Sequence, residues 1–92
     1  MEIKTNKEDN MPVAAQVSIY PLRQSHFSPA IGKALDIFRT HGLNVEMGAM
    51  STIVSGEDEP LFTALKEVYQ NLADKGELVM IVTLSNACPV WK

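Results

Sequence analysis

The sequence predicts an α+β fold with elements in the order β-α-β-β-α-β, and three observations carry that prediction. Apolar and polar residues alternate in Gln16-Val17-Ser18-Ile19-Tyr20, the period of a strand with one buried face. Two stretches, starting at Ser28 and Glu57, repeat apolar residues at helical spacing, and each ends at a glycine. The run "ELVMIVTLS" is almost continuously apolar, as in a strand covered on both faces.

Taken in order, residues 1–12 are polar, charged and without periodicity, so a flexible tail is expected there, followed by a single domain over residues 13–92. After the first strand, Pro21 has no N–H and is expected to stop the ladder, with "LRQSHF" crossing to a helix. Ser28 and Pro29 read as N-cap and first helical residue. Ile31, Ala34, Leu35 and Phe38 then form the inward stripe, Lys33, Asp36 and Arg39 face out, and Gly42 supplies the stop. In "LNVEMGAMSTIVSG", Val45 and Met47 alternate with Asn44 and Glu46, Gly48 permits a turn, and "STIV" resumes extended structure, which predicts a hairpin. The second helix has acidic residues at its start, Pro60 in its first turn, a stripe of Leu61, Leu65, Val68 and Leu72, and Gly76 after its end.

This order is the split βαβ, or ferredoxin-like, pattern. Right-handed crossovers place both helices on one face of a four-stranded antiparallel sheet, with the first and third strands in its centre. Val17 and Ile19 then meet the helices, while Gln16, Ser18 and Tyr20 line the open face. A fourth strand that is apolar on both sides implies that a second subunit, a ligand, or both cover that open face.

Composition narrows the function. A chain of 92 residues, 46% hydrophobic and 21% charged, is an ordinary small globular domain. A domain this small buries only about 60% of its unfolded surface, so self-association is a natural source of stability. The net charge of −3 comes without a Lys/Arg cluster, which argues against a nucleic-acid partner. No apolar run approaches the roughly 18–20 residues that span a bilayer, and the N-terminus has no apolar core of signal-peptide type. A cytoplasmic protein without membrane insertion is expected.

Catalytic patterns are sparse. His26, His41 and Cys88 lie in separate connections without ligand spacing, so no metal site is expected. Cys88, before Pro89, has no neighbouring His or Lys to activate it and reads as structural. The acidic "SGEDE" has the wrong charge for a phosphate loop and reads as the start of the second helix. Glu46 alternates with core residues, so it is either a solvated acid on an edge strand or a group aimed across the open face. Tyr20 either plugs the end of the sheet or offers a ring face and an O–H to a bound ring. Ser18, Ser51, Thr52, Thr83 and Ser85 make the open face polar in patches without forming a catalytic pair.

The segments Gln16 to Leu22, Ser51-Thr52 with Gly56, and Thr83 to Pro89 resemble one repeat of the YkoF family of thiamine- and hydroxymethylpyrimidine-binding proteins. "NVEMGAMSTIVSGE" is also similar to a related single-domain thiamine-binding family. The resemblance covers about Val13 to Pro89. It implies a ferredoxin-like domain that pairs sheet to sheet and takes thiamine, or its hydroxymethylpyrimidine moiety, as ligand, with no cofactor. The family's polar strand positions correspond here to Ser18, Tyr20, Ser51, Thr52 and Ser85, the related family's strand acid to Glu46, and an apolar or aromatic position to Met50. Family members with two repeats imply that this single repeat forms a homodimer or higher homo-oligomer. In the expected strand order Tyr20 and Ser51 lie toward one end of the sheet, and Gln16, Glu46 and Ser85 toward the other. Either the pocket uses one end, or a partner brings the opposite end across. The function expected is non-catalytic binding in vitamin B1 trafficking or salvage. A ligand-free interaction module and a small dimeric enzyme are the alternatives.

Overall fold

A computed structural model describes residues 11–22, 28–48 and 51–87. Its elements are β1 (Pro12–Pro21), α1 (Ser28–Thr40), β2 (Asn44–Met47), β3 (Thr52–Glu57), α2 (Asp58–Ala73) and β4 (Leu78–Ser85). The four strands form one antiparallel sheet in the order β2-β3-β1-β4, with β1 and β3 central, and the fold is the ferredoxin-like βαββαβ architecture. Residues 1–10, His26, Met50 and Cys88 lie outside the described residues.

The core lies between sheet and helices. Val13, Ala15 and Val17 of β1 and Val54 of β3 meet Ala34, Ile37 and Phe38 of α1 and Leu61, Ala64, Leu65, Val68 and Leu72 of α2. Ile37 joins the stripe expected for α1, since residues three and four apart share a helix face and Ile37 sits between Ala34 and Phe38. The α1 terminus is a Schellman turn. Gly42 has φ +77, its N–H donates to the Arg39 carbonyl at 2.9 Å, and the Leu43 N–H donates to the Phe38 carbonyl at 3.2 Å, with Leu43 buried beneath. In α2, Asp58 accepts a 2.8 Å bond from the Glu59 N–H, and its own N–H donates to the Met11 carbonyl at 3.0 Å.

Two residues ahead of Val13 also belong to this architecture, since the Met11 carbonyl accepts from the Asp58 N–H at the start of α2 and Pro12 pairs with Glu57. Pro21 does not stop the ladder either. It pairs with Leu78, and the next residue, Leu22, donates its N–H to the Glu77 carbonyl at 2.9 Å. Peptide groups alternate direction along a strand, so with Leu22 directed at β4 the nitrogen of Pro21 is directed at the β3 side. There the β1–β3 pairing has already ended, at Val17 and Thr52, and a missing N–H costs no bond.

Register assigns each side chain to a face. Val17 pairs with Thr52 and Val82, and Met47 with Thr52, so these four form one row under the helices. Gln16, Ile53, Glu46 and Thr83 form the adjacent row on the open face. Asn44, Ser55, Ala14 and Ser85 lie in the open-face row on one side of it; on the other side come Ser18 with Ile81 and then Tyr20 with Val79. The open face is uncovered at β4, where Val79 is 42% exposed, Ile81 53% and the neighbouring Tyr20 47%. No described helix is long and apolar enough to cross a membrane.

Candidate functional site

Strand lengths create the site. At the end of the β2–β3 pairing the Gly48 N–H donates to the Ser51 carbonyl at 2.7 Å. Described β3 pairing therefore ends at Val17, whereas β1 and β4 remain paired as far as Pro21 and Leu78. The sheet narrows in a step, and Ser18 to Pro21 project past the hairpin with a strand partner on one side only among the described residues.

A cavity of about 190 Å³ fills this step. Its walls are Ser18 and Ile19 of β1, the Met47–Gly48 and Ser51–Thr52 shoulders of the hairpin, and a roof of Ile31, Leu35 and Phe38 from α1. Ser51 is held in place: the Gln16 side-chain amide donates to its hydroxyl oxygen at 3.1 Å. Enclosed sites for drug-sized ligands measure about 300–1,000 Å³, so this notch takes one ring-sized group and leaves the remainder of a larger ligand outside. Walls that mix apolar side chains with hydroxyl and peptide groups in about equal measure suit a flat heteroaromatic ring that carries its own donors and acceptors. Among the described lining residues there is no Asp, Glu, His, Lys or Arg, so this wall has no side chain to exchange a proton with a bound molecule at neutral pH.

The structure brings Ser18, Ser51 and Thr52 to this one cavity. Thr52 reaches it from an unexpected side: its pairing with Val17 turns it toward the helices, not onto the open face with the other strand hydroxyls. Glu46 is on the open face, exposed, in the row of Gln16 and one row from Ser51, so the separation expected between Ser51 and the Gln16–Glu46 group does not hold. Tyr20 and Ser85 do lie at opposite ends. They are six residues apart along the β1–β4 ladder, a span of about 20 Å at roughly 3.4 Å per residue, too far for one small ligand within a single chain. Ser85 accepts a local 3.0 Å bond from the Ala87 N–H. The roof residues Ile31, Leu35 and Phe38 were legible only as core, because nothing in a helical stripe says that the sheet beneath part of it is missing.

His41 Nε2 lies 2.7 Å from Glu67 Oε1, tying the end of α1 to α2. No group of His, Cys, Asp and Glu able to hold a metal ion occurs among the described residues.

Fold and site together define a small ferredoxin-like domain with a ring-sized notch at the end of its sheet. The model of the YkoF-related family matches residues 12–90, and the chain belongs to that family. It is 32% identical over 69 residues to the UPF0045 protein MJ1052 of Methanocaldococcus jannaschii, an alignment covering 74% of this chain and 69% of that protein. The crystal structure of MJ1052 superposes with a TM-score of 0.75 at 28% identity, covering 85% of this chain and 82% of the other. A domain of unknown function from Bacillus cereus has a TM-score of 0.72 at 24% identity, covering 88% and 80%. A Thermotoga maritima protein assigned provisionally to thiamine biosynthesis or salvage has a TM-score of 0.70 at 21% identity, covering 80% and 82%. The last two likenesses show the fold alone.

Proposed function

We propose that this protein is a non-catalytic binder of thiamine or its hydroxymethylpyrimidine moiety, serving vitamin B1 trafficking or salvage in the cytoplasm. The observation that carries the reading is the notch, ring-sized and lined by apolar side chains and polar hydroxyl and peptide groups in about equal measure, in a chain of the YkoF-related family. The pyrimidine enters the notch and the thiazolium stays outside it. Tyr20, two residues beyond Ser18 on the same face, supplies an aromatic face for the cationic ring, contributing about 0.5–2 kcal/mol, and Glu46, one row from Ser51, supplies an exposed carboxylate contributing about 0.2–1 kcal/mol. The thiamine assignment of the Thermotoga maritima neighbour is consistent with this choice of ligand.

The uncovered row of Val79 and Ile81 supports a homodimer, or higher homo-oligomer, joined through the open sheet face. A specific interface of this kind buries about 800 Å² per partner. Docked antiparallel, a second copy would bring its own Ser85 end over the first copy's Tyr20 end.

A thermal-shift panel of thiamine, its phosphates and hydroxymethylpyrimidine tests the reading. Ligand at about 100 times its dissociation constant stabilises the native state by about 2.7 kcal/mol, a rise of roughly 10 °C or more in a domain this small. A flat response to every compound rejects it.

A further inference from the structure

On the helix side of the molecule lies a second cavity, of about 330 Å³. Pro21 and Leu78 of the sheet, Ala30 of α1 and Leu72 of α2 give it an apolar floor, and Lys33 and Lys75 stand at its rim. It shares no lining residue with the notch. We propose that this cavity is a separate binding site for a small organic anion, an acid with an apolar body and one charged head.

Size, lining and charge each point that way. The volume falls at the lower end of the range for sites that enclose a whole small molecule. The floor is built from hydrocarbon, so it recognises a ring or short chain. The rim concentrates positive charge in an acidic chain: the Lys and Arg residues described are Lys33, Arg39, Lys66 and Lys75, and two of these four converge on one opening. Asp36 follows Lys33 by one turn and Asp74 precedes Lys75, yet neither lysine is joined to a carboxylate among the described residues. Asn71 also lines the cavity, where one of its two amide N–H groups is donated to the Glu67 carbonyl at 2.8 Å, so beside the charged lysines it offers at most one neutral donor. Two like charges at one mouth repel each other, and an anion between them converts that repulsion into attraction to both.

Phenyl phosphate and benzoate serve as probes, with benzyl alcohol as the body without the charge and inorganic phosphate as the charge without the body. Titration followed by amide chemical shifts is expected to show phenyl phosphate, benzoate or both binding at least tenfold tighter than either control. The shifts should map to Ala30, Lys33, Leu72 and Lys75, and affinity should fall as salt rises. Lys33→Gln with Lys75→Gln should reduce probe affinity at least tenfold while leaving the melting temperature and thiamine response of the wild type unchanged. Probes that bind no better than the controls, that keep their affinity in the double variant, or that shift notch residues instead, would overturn the proposal, while thiamine binding is judged separately by the thermal-shift panel.

Discussion

Glu46 and Gly56 show what single positions decide. Glu46 is exposed on an edge strand, where an isolated acid contributes almost nothing. If it meets the cationic ring of a bound thiamine, Glu46→Gln leaves the melting temperature unchanged and weakens binding by about 0.2–1 kcal/mol, up to roughly fivefold in calorimetric titration. Equal affinities would return it to the solvent. Gly56 acts on stability alone. A Cβ built there would stand 2.6 Å from Leu43 Cδ2, and Leu43 is buried against the core. Gly56→Ala should therefore cost about 1–3 kcal/mol in urea denaturation, the usual range for overpacking. Legibility at this scale depended on parity. Alternation in β1 placed Gln16, Ser18 and Tyr20 on the open face from sequence, as the register has them. Thr52 was misplaced because a one-residue uncertainty in where a hairpin resumes flips a side chain to the other face.

At the scale of elements, α1 is both a core helix and the roof of the notch. Its buried stripe holds Ala34, Ile37 and Phe38 against the sheet, while Ile31, one turn earlier, is only half-buried because hairpin pairing has ended below it. Ile31→Trp should therefore fill the notch without unfolding the helix. We expect near-wild-type melting and at least a tenfold loss of thiamine affinity; retained affinity would move the ring-binding site elsewhere. Helices and strands were legible because their periods and stops are local properties of the chain, as at Gly42. The notch was not, since it arises from a difference in length between β2–β3 and β1–β4, and register is a long-range property.

The whole molecule has one face finished and one unfinished. Apolar residues on both sides of β4 were evident in the run from Leu78 to Val82, and in the structure Leu78, Met80 and Val82 pack toward the core while Val79 and Ile81 remain in solvent. The proposed second copy over that face would account for the pattern. Sedimentation at micromolar concentration should give a species of at least twice the 10.2 kDa chain mass. Val79→Lys with Ile81→Lys should shift it to the monomer, because like charges would be buried against each other at a sheet-to-sheet interface. A wild-type monomer at that concentration would assign the exposed row to another role.

The stepped end of the sheet makes ligand size a matter of counting residues. Each two-residue extension of β2 and β3 would advance the hairpin tip by about 7 Å along β1, supplying the missing partner strand and closing the space where a ring now fits. Shortening it by the same amount would lengthen the gap. A domain of this design can thus be retuned for larger or smaller molecules by insertion and deletion at a single surface turn, with every core side chain left as it is.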